Sequence, residues 1–335
     1  MKILIVQTSF LGDTILSTPV IAALKKIHPD AELWMMTTPL SASLVKRDPL
    51  LKGVITYDKR GTDKGLTGLM RIRKRICEES FDRIYSLHRS MRTAILLRLC
   101  GSSPTRIGFA NASLGLIYHQ TQKRNPDDHD VIRNLSILAG ECSLDSIETD
   151  LRLFAPDRPE LDKSITGMLP DPRRYGVLTP GSAWNTKMWH WQGFRETARY
   201  LLKKGLDVVL MGTPSDREVS SKVAKGLNIL DLTGKTGIDE AMYIMKNSAI
   251  AVCNDSMALH MTSAFKIPCV AAFCSTVPSF GFGPWKNRAV VVETELVCRP
   301  CGRHGKKRCP NGTEACMKKI SQNEVIQAIE ELLGN

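Results

Sequence analysis

Three short stretches of this chain hold side chains whose types and spacing could do chemistry. In QTSFLGDTILSTPV (7–20) one carboxylate, Asp13, follows the apolar run Met1 to Val6, where a buried strand should turn into a helix. A carboxylate in that place has two readings. It caps the helix, because Asp is a favoured N-cap, or it faces outward as a general base, a role worth ~10²–10⁴-fold when well placed. In TPGSAWNTKMWHW (179–191), Pro180-Gly181-Ser182 leaves a strand with exposed backbone N–H groups and a hydroxyl, and Lys187 adds a mobile ammonium before the next helix. In CNDSMALHM (253–261), Asn254-Asp255-Ser256 opens a helix whose N–H groups and positive dipole end attract anions. Caps and a solvated lysine would account for each of the last two stretches taken singly. Neither is a Walker sequence or a GxGxxG turn, which weakens ATPase and dinucleotide readings.

The elements that must position these groups alternate in type. Lys2–Gln7, Glu32–Thr37, Gly53–Tyr57 and Arg83–Leu87 read as strands, with helices over 13–27, 66–79 and 91–100. After a proline-rich, charged stretch at 154–174 that reads as a linker, strands follow at 175–180, 206–212, 229–232, 249–254 and 269–274. Helices at 192–204, 215–225 and 238–246 separate them, and a last helix covers 322–333. Near-continuous apolar strands alternating with helices predict parallel sheets covered on both faces. The expected organisation is therefore α/β: an N-terminal domain over 1–160, a second over 175–320 and a C-terminal helix over 321–335. Two such doubly wound domains would face a cleft at the carboxyl ends of their strands, where ligands bind in these folds.

The charge constrains the ligand. Among 335 residues, 46 Lys and Arg against 34 Asp and Glu give a net charge of +12, which favours anionic partners such as nucleotides, phosphorylated lipids or membrane surfaces. Lys59, Arg60 and Lys64 precede Arg71, Arg73, Lys74 and Arg75, and Arg89 and Arg92 lie just past the strand ending at Leu87. No secretory signal and no apolar run of the ~18–20 residues needed to span a bilayer is evident. A cytoplasmic protein with at most peripheral membrane contact is expected.

Taken in order, the GD of Gly12-Asp13, the PGS…TK.W of 180–189, the GTPSDRE of 212–218 and the NDS…H closing at His260 stand at successive strand ends. This ordered set resembles glycosyltransferase family 9, the ADP-heptose:lipopolysaccharide heptosyltransferases, over nearly the whole chain. The wording of the PGSAWNTKMW loop is most similar to the heptosyltransferase II branch, and the C-terminal CRPC…RCPNGTEACMKKIS is also similar. The resemblance implies a GT-B fold that binds an ADP-heptose donor in the C-terminal domain and a lipid A–Kdo–heptose acceptor in the N-terminal one. It implies Asp13 as the catalytic carboxylate and Lys187 on the diphosphate. Ser182, Asp216, Asp255, Ser256 and His260 fall on the donor side and Gly12 on the acceptor side, where Arg89 and Arg92 are read as acceptor contacts from their place just past a strand's carboxyl end. Direct displacement with a single base inverts the anomeric carbon. With lysine and helix dipole compensating the leaving diphosphate, no catalytic cofactor is required. Two departures from the pattern matter: Met257 stands where the family has glycine, and His190 where it has proline.

Cys298, Cys301, Cys309 and Cys316 are spaced C-x₂-C-x₇-C-x₆-C. Four thiolates could close a structural zinc site, or they pack as reduced thiols or pair on oxidation. The remaining six cysteines, Cys77, Cys100, Cys142, Cys253, Cys269 and Cys274, read as core. Three other readings stand beside the leading one: a family 9 transferase with another sugar or core position, a relative that binds donor without turnover, and a basic nucleic-acid-binding protein with a zinc module. The last leaves the paired α/β domains and the GD and TK motifs unexplained, so nucleic acid is not an expected partner.

Overall fold

A computed structural model describes residues 1–101 and 103–334. The chain divides into two compact units, Met1–Phe154 and the residues from Ala155 onward. In the first unit, β1 (Lys2–Val6), β2 (Glu32–Thr37), β3 (Leu51–Thr56), β4 (Arg83–Ser86), β5 (Thr105–Phe109) and β6 (Gln120–Gln122) pair in parallel in the order β3-β2-β1-β4-β5-β6. The second unit has β7 (Tyr175–Thr179), β8 (Asp207–Leu210), β9 (Leu230–Asp231), β10 (Ile250–Asn254), β11 (Cys269–Phe273) and β12 (Ala289–Glu293), ordered β12-β11-β10-β7-β8-β9. Counted from its own first strand, each sheet has the doubly wound order 3-2-1-4-5-6. Strand order reverses beside the first strand, and that switch point is where such folds open a crevice for ligands. Here it lies between β1 and β4 in the first unit and between β7 and β10 in the second.

The strands form because their residues have nowhere wet to go. Ile3, Leu4, Ile5 and Val6 of β1 are fully buried, as are Ile250 and Val252 of β10, which is the pattern of strands covered on both faces. Leu4, Val6, Ile55, Tyr57, Ile72, Ile84 and Leu96 build one core, and Leu178, Trp189, Phe194, Leu201, Val252 and Val270 the other.

The expected 13–27 helix is two helices, Leu11–Ser17 and Pro19–Ile27. Pro19 has no N–H to continue the ladder. Thr18 instead turns both its backbone N–H (3.1 Å) and its hydroxyl (2.7 Å) onto the Ile15 carbonyl. Its Oγ1 also accepts the Arg152 N–H at 2.9 Å. The 154–174 stretch is not a loose linker: Leu161, Ile165 and Leu169 are buried, and Arg173 bonds the carbonyls of Asn247 and Ser248. Nor is the C-terminal helix Gln322–Leu333 separate, since Val325, Ala328 and Ile329 complete the second core. Short or mixed sequences hid β5 and β6 (TRIGF, QTQ) and the helix Asp130–Leu135, and β12 (AVVVE) is not among the expected strands although it is as apolar as β10. That helix matters for the site, because Asn134 Nδ2 donates to the Leu16 carbonyl at 3.3 Å and so holds the helix that carries Asp13.

Thr18→Val keeps the shape of this buried side chain but strands the Arg152 N–H. An unmade hydrogen bond of that kind costs about 1–3 kcal/mol. Denaturant unfolding should show a loss in that range, with Thr18→Ser recovering most of it.

Candidate functional site

In the second unit, the switch point brings together the loop after β7 and the turn after β10. Asn254, fully buried at the end of β10, joins them: its Oδ1 accepts the Trp189 N–H at 2.8 Å and its Nδ2 donates to the Pro180 carbonyl at 2.9 Å. The residue reads as a helix cap in sequence and acts as a brace in the structure. Next to it Asp255, 5% exposed, receives two donors on one oxygen. Lys187 Nζ and Thr276 Oγ1 both lie 2.6 Å from Asp255 Oδ2. The ammonium has three N–H donors, so the carboxylate fixes its position while leaving it able to donate elsewhere. Removing one partner from a pair this enclosed would cost several kcal/mol, ~3–5 for well-buried cases.

The other residues expected on the donor side lie on these two turns and on the one after β8. Ser256 starts the helix Met257–Phe265 in extended backbone, and half-buried Met257 takes its first position. His260 is buried on the same helix. Asp216 accepts the Thr213 N–H at 2.7 Å, closing its own turn, and lies against the β7 loop. A Cβ on Gly181 would sit 2.1 Å from Asp216 Cγ, so only glycine admits the carboxylate there. Ser182 is half-buried in the same loop. His190, in place of the family's proline, caps the next helix through Nδ1, which accepts the Gly193 N–H at 3.3 Å.

In the first unit, Asp13 is half-buried and sits at the third position of its helix, with Gly12 before it. Its Oδ2 accepts the Phe10 N–H at 3.2 Å, so the capping role is real. The turn from Thr8 to Phe10 is edged with cations that follow β3 and with a histidine that follows β4. Lys59 Nζ donates to the Thr8 carbonyl at 2.6 Å, and the Arg60 guanidinium lies 5.9 Å from the Phe10 ring centre. His88 Nδ1 bonds Thr8 Oγ1 (2.9 Å) and Thr93 Oγ1 (2.7 Å). Burial, then Lys59 and Arg89, depress the His88 pKa from 6.5 to about 4, which leaves a neutral imidazole at neutral pH. Burial, then Arg60 and Arg92, likewise lower Lys59.

The expected acceptor cations divide in two. Arg89 is exposed just past β4. Arg92 is committed to the scaffold: it bonds the Tyr57 hydroxyl and the Asp63 and Gly65 carbonyls, pinning the 58–65 loop. Arg71, Arg73 and Arg75 are similarly tied to the carbonyls of Thr62, Leu99 and Thr56. Sequence reasoning missed Thr276, His88 and the Lys59–Thr8 contact, because their partners are far apart in the chain.

The four C-terminal cysteines differ in burial. Cys298 is exposed, Cys301 and Cys309 are half-buried and Cys316 is in the core. The Glu314 N–H, 3.4 Å from Cys309 Sγ, leads the contacts that lower the thiol pKa. Among the described residues, no three His, Cys, Asp or Glu side chains are grouped so as to hold a metal ion. Cys253, Cys269 and Cys274 are core as expected, whereas Cys77 is exposed at the basic helix Gly65–Glu78 and Cys100 and Cys142 are half-buried. Among the described residues no helix is long and apolar enough to cross a membrane.

Two doubly wound parallel units with polar, anion-seeking turns at the switch points define a GT-B-type protein. The glycosyltransferase family 9 (heptosyltransferase) profile matches residues 69–311, and the chain belongs to that family. It is 25% identical to lipopolysaccharide heptosyltransferase 3 of Escherichia coli K12, covering 96% of this chain and 95% of that one. It is 23% identical to lipooligosaccharide heptosyltransferase 2 of Campylobacter jejuni, covering 100% and 99%. Among solved structures, a family 9 glycosyl transferase from Veillonella parvula superposes with a TM-score of 0.84 at 23% identity, covering 99% of this chain and 97% of that one. ADP-heptose LPS heptosyltransferase II of E. coli gives 0.80 at 21% identity, covering 99% and 98%.

Two outcomes follow from this geometry. Asn254→Ala removes a buried brace and should lower stability by ~2–3 kcal/mol in denaturant melts. Because the folded-state pKa of His88 lies below its unfolded value, the unfolded chain takes up the proton first. The His88 contribution is therefore complete above pH 6.5 and is lost as pH falls to about 4. His88→Gln should flatten the stability–pH curve across that window, measured by thermal unfolding.

Proposed function

We propose that this enzyme transfers L-glycero-D-manno-heptose from ADP-heptose to the lipopolysaccharide inner core, with inversion, in the manner of heptosyltransferase II. Asp13 accepts the proton of the incoming acceptor hydroxyl as that oxygen attacks the anomeric carbon. The bond from that carbon to the diphosphate breaks, and ADP departs with the electron pair. Charge then builds on the leaving phosphate oxygens. Lys187, held by Asp255, and the N–H groups that begin the helix at Met257 are suited to meet it. Ser182 and His260 serve the donor phosphates, Asp216 its nucleoside, and Gly12 and Arg89 the acceptor.

The observation that carries this reading is the Lys187–Asp255 pair at the switch point of the second sheet in a family 9 chain. The cations beside the Thr8–Asp13 turn support an anionic, lipid-linked acceptor, which would bring the enzyme to the inner-membrane surface. The core position rests on less. Relatives named heptosyltransferase 1, 2 and 3 match at 23%, 24% and 25% identity, so a different core position is the second reading.

Acceptor-dependent ADP release from ADP-heptose tests both. Heptose-Kdo₂-lipid A should be the preferred acceptor in a panel of core fragments, and a different preference would reassign the position. Asp13→Asn should lower kcat by ~10²–10⁴-fold with donor affinity unchanged. Full activity in that variant would reduce Asp13 to its capping role. NMR of the product should show the inverted anomer.

A further inference from the structure

The cysteine-rich segment between Cys298 and Cys316 is fastened to the neighbours of both members of the Lys187–Asp255 pair. On the lysine side, the N–H of buried Thr186 donates to the Lys306 carbonyl at 3.1 Å, and Thr186 Oγ1 accepts the Lys306 N–H at 2.8 Å. The same hydroxyl bonds Ser275 Oγ at 3.0 Å, and the Ser275 carbonyl accepts the Cys301 N–H at 2.9 Å. On the aspartate side, the Arg299 guanidinium bonds the carbonyls of Cys274 and Thr276, and Thr276 is the residue that donates to Asp255. Between these clasps the segment lies against the lysine stem. Gly305, at φ +74°, has no side chain, and a Cβ there would approach Lys187 Cγ to 3.0 Å and Trp184 Cβ to 3.1 Å. His304 follows suit electrostatically: partial burial, then Lys187 and Arg303, hold its imidazole below the usual range. Cys316, buried in the core, anchors the far end.

We infer that the 298–316 segment is a positioning strap, which sets the Lys187 ammonium for the donor diphosphate through Thr186 and Gly305. The proposal rests on the role given to Lys187 above. Thr186 and Gly305 touch no reacting atom and act only through the lysine. A strap of this kind has a specific signature: its loss must cost nothing where the lysine is already absent.

The test is a double-mutant cycle read by steady-state kinetics on ADP-heptose with heptose-Kdo₂-lipid A. Thr186→Val should lower kcat/KM for the donor by ~10–100-fold, the scale of a misplaced catalytic group, with the acceptor KM unchanged and Thr186→Ser near the parent. Gly305→Ala, outside the core, should act in the same direction and guards against a folding defect in the first variant. In a Lys187→Ala background neither change should lower the rate further. If both lower it by the same factor with and without Lys187, the strap is only structural and the inference is overturned while the role of Lys187 stands. If Lys187→Ala itself leaves kcat/KM for the donor intact, both are overturned.

Discussion

The second unit is organised around one carboxylate oxygen. Asp255 Oδ2 receives Lys187 and Thr276 at 2.6 Å each in a place almost closed to water. An enclosed carboxylate needs such partners, since its desolvation is compensated only by close charge and hydrogen bonds. That requirement fixes the surroundings. Lys187 must arrive from the β7 loop and Thr276 from the β11 exit, and Asn254 must brace the loop from the residue before. The consequence for chemistry is a cation fixed in place before any substrate binds, which is what electrostatic stabilisation of a developing charge demands.

Both sheets reach their site by the same rule. Parallel strands carry their loops at the carboxyl ends, and the reversal of strand order leaves room beside the first strand. The first unit has there a carboxylate on a turn that Lys59 and Arg60 touch, the second a cation held by a carboxylate. The capping contact of Asp13 is compatible with the chemical role proposed for it. A carboxylate has two oxygens, and the Phe10 N–H engages one of them.

Legibility in the sequence followed the range of the interaction. Strands such as β1 and β10 were readable because four or five consecutive apolar residues have a local meaning, whereas β6, only QTQ, has none. The ordered GD, PGS…TK and NDS motifs marked the strand ends correctly, and the resemblance they carry to family 9 holds. What could not be read was partnership across the chain: Arg92 reads as a cation for ligand and is spent on Tyr57 and the 58–65 loop. Thr186 belongs to the TK motif, and nothing local shows that it ties the loop to Lys306, 120 residues on. The helix split at Thr18-Pro19 was legible in principle, since proline cannot donate, but apolar periodicity ran through it.

The most direct test of the account is calorimetric binding of ADP and AMP to the parent and to Lys187→Met. If Lys187 meets the phosphate nearest the sugar, the parent should prefer ADP by about tenfold or more, which is ~1.4 kcal/mol, and the variant should bind the two alike. An ADP preference that survives in Lys187→Met would contradict the assignment of the diphosphate to this lysine.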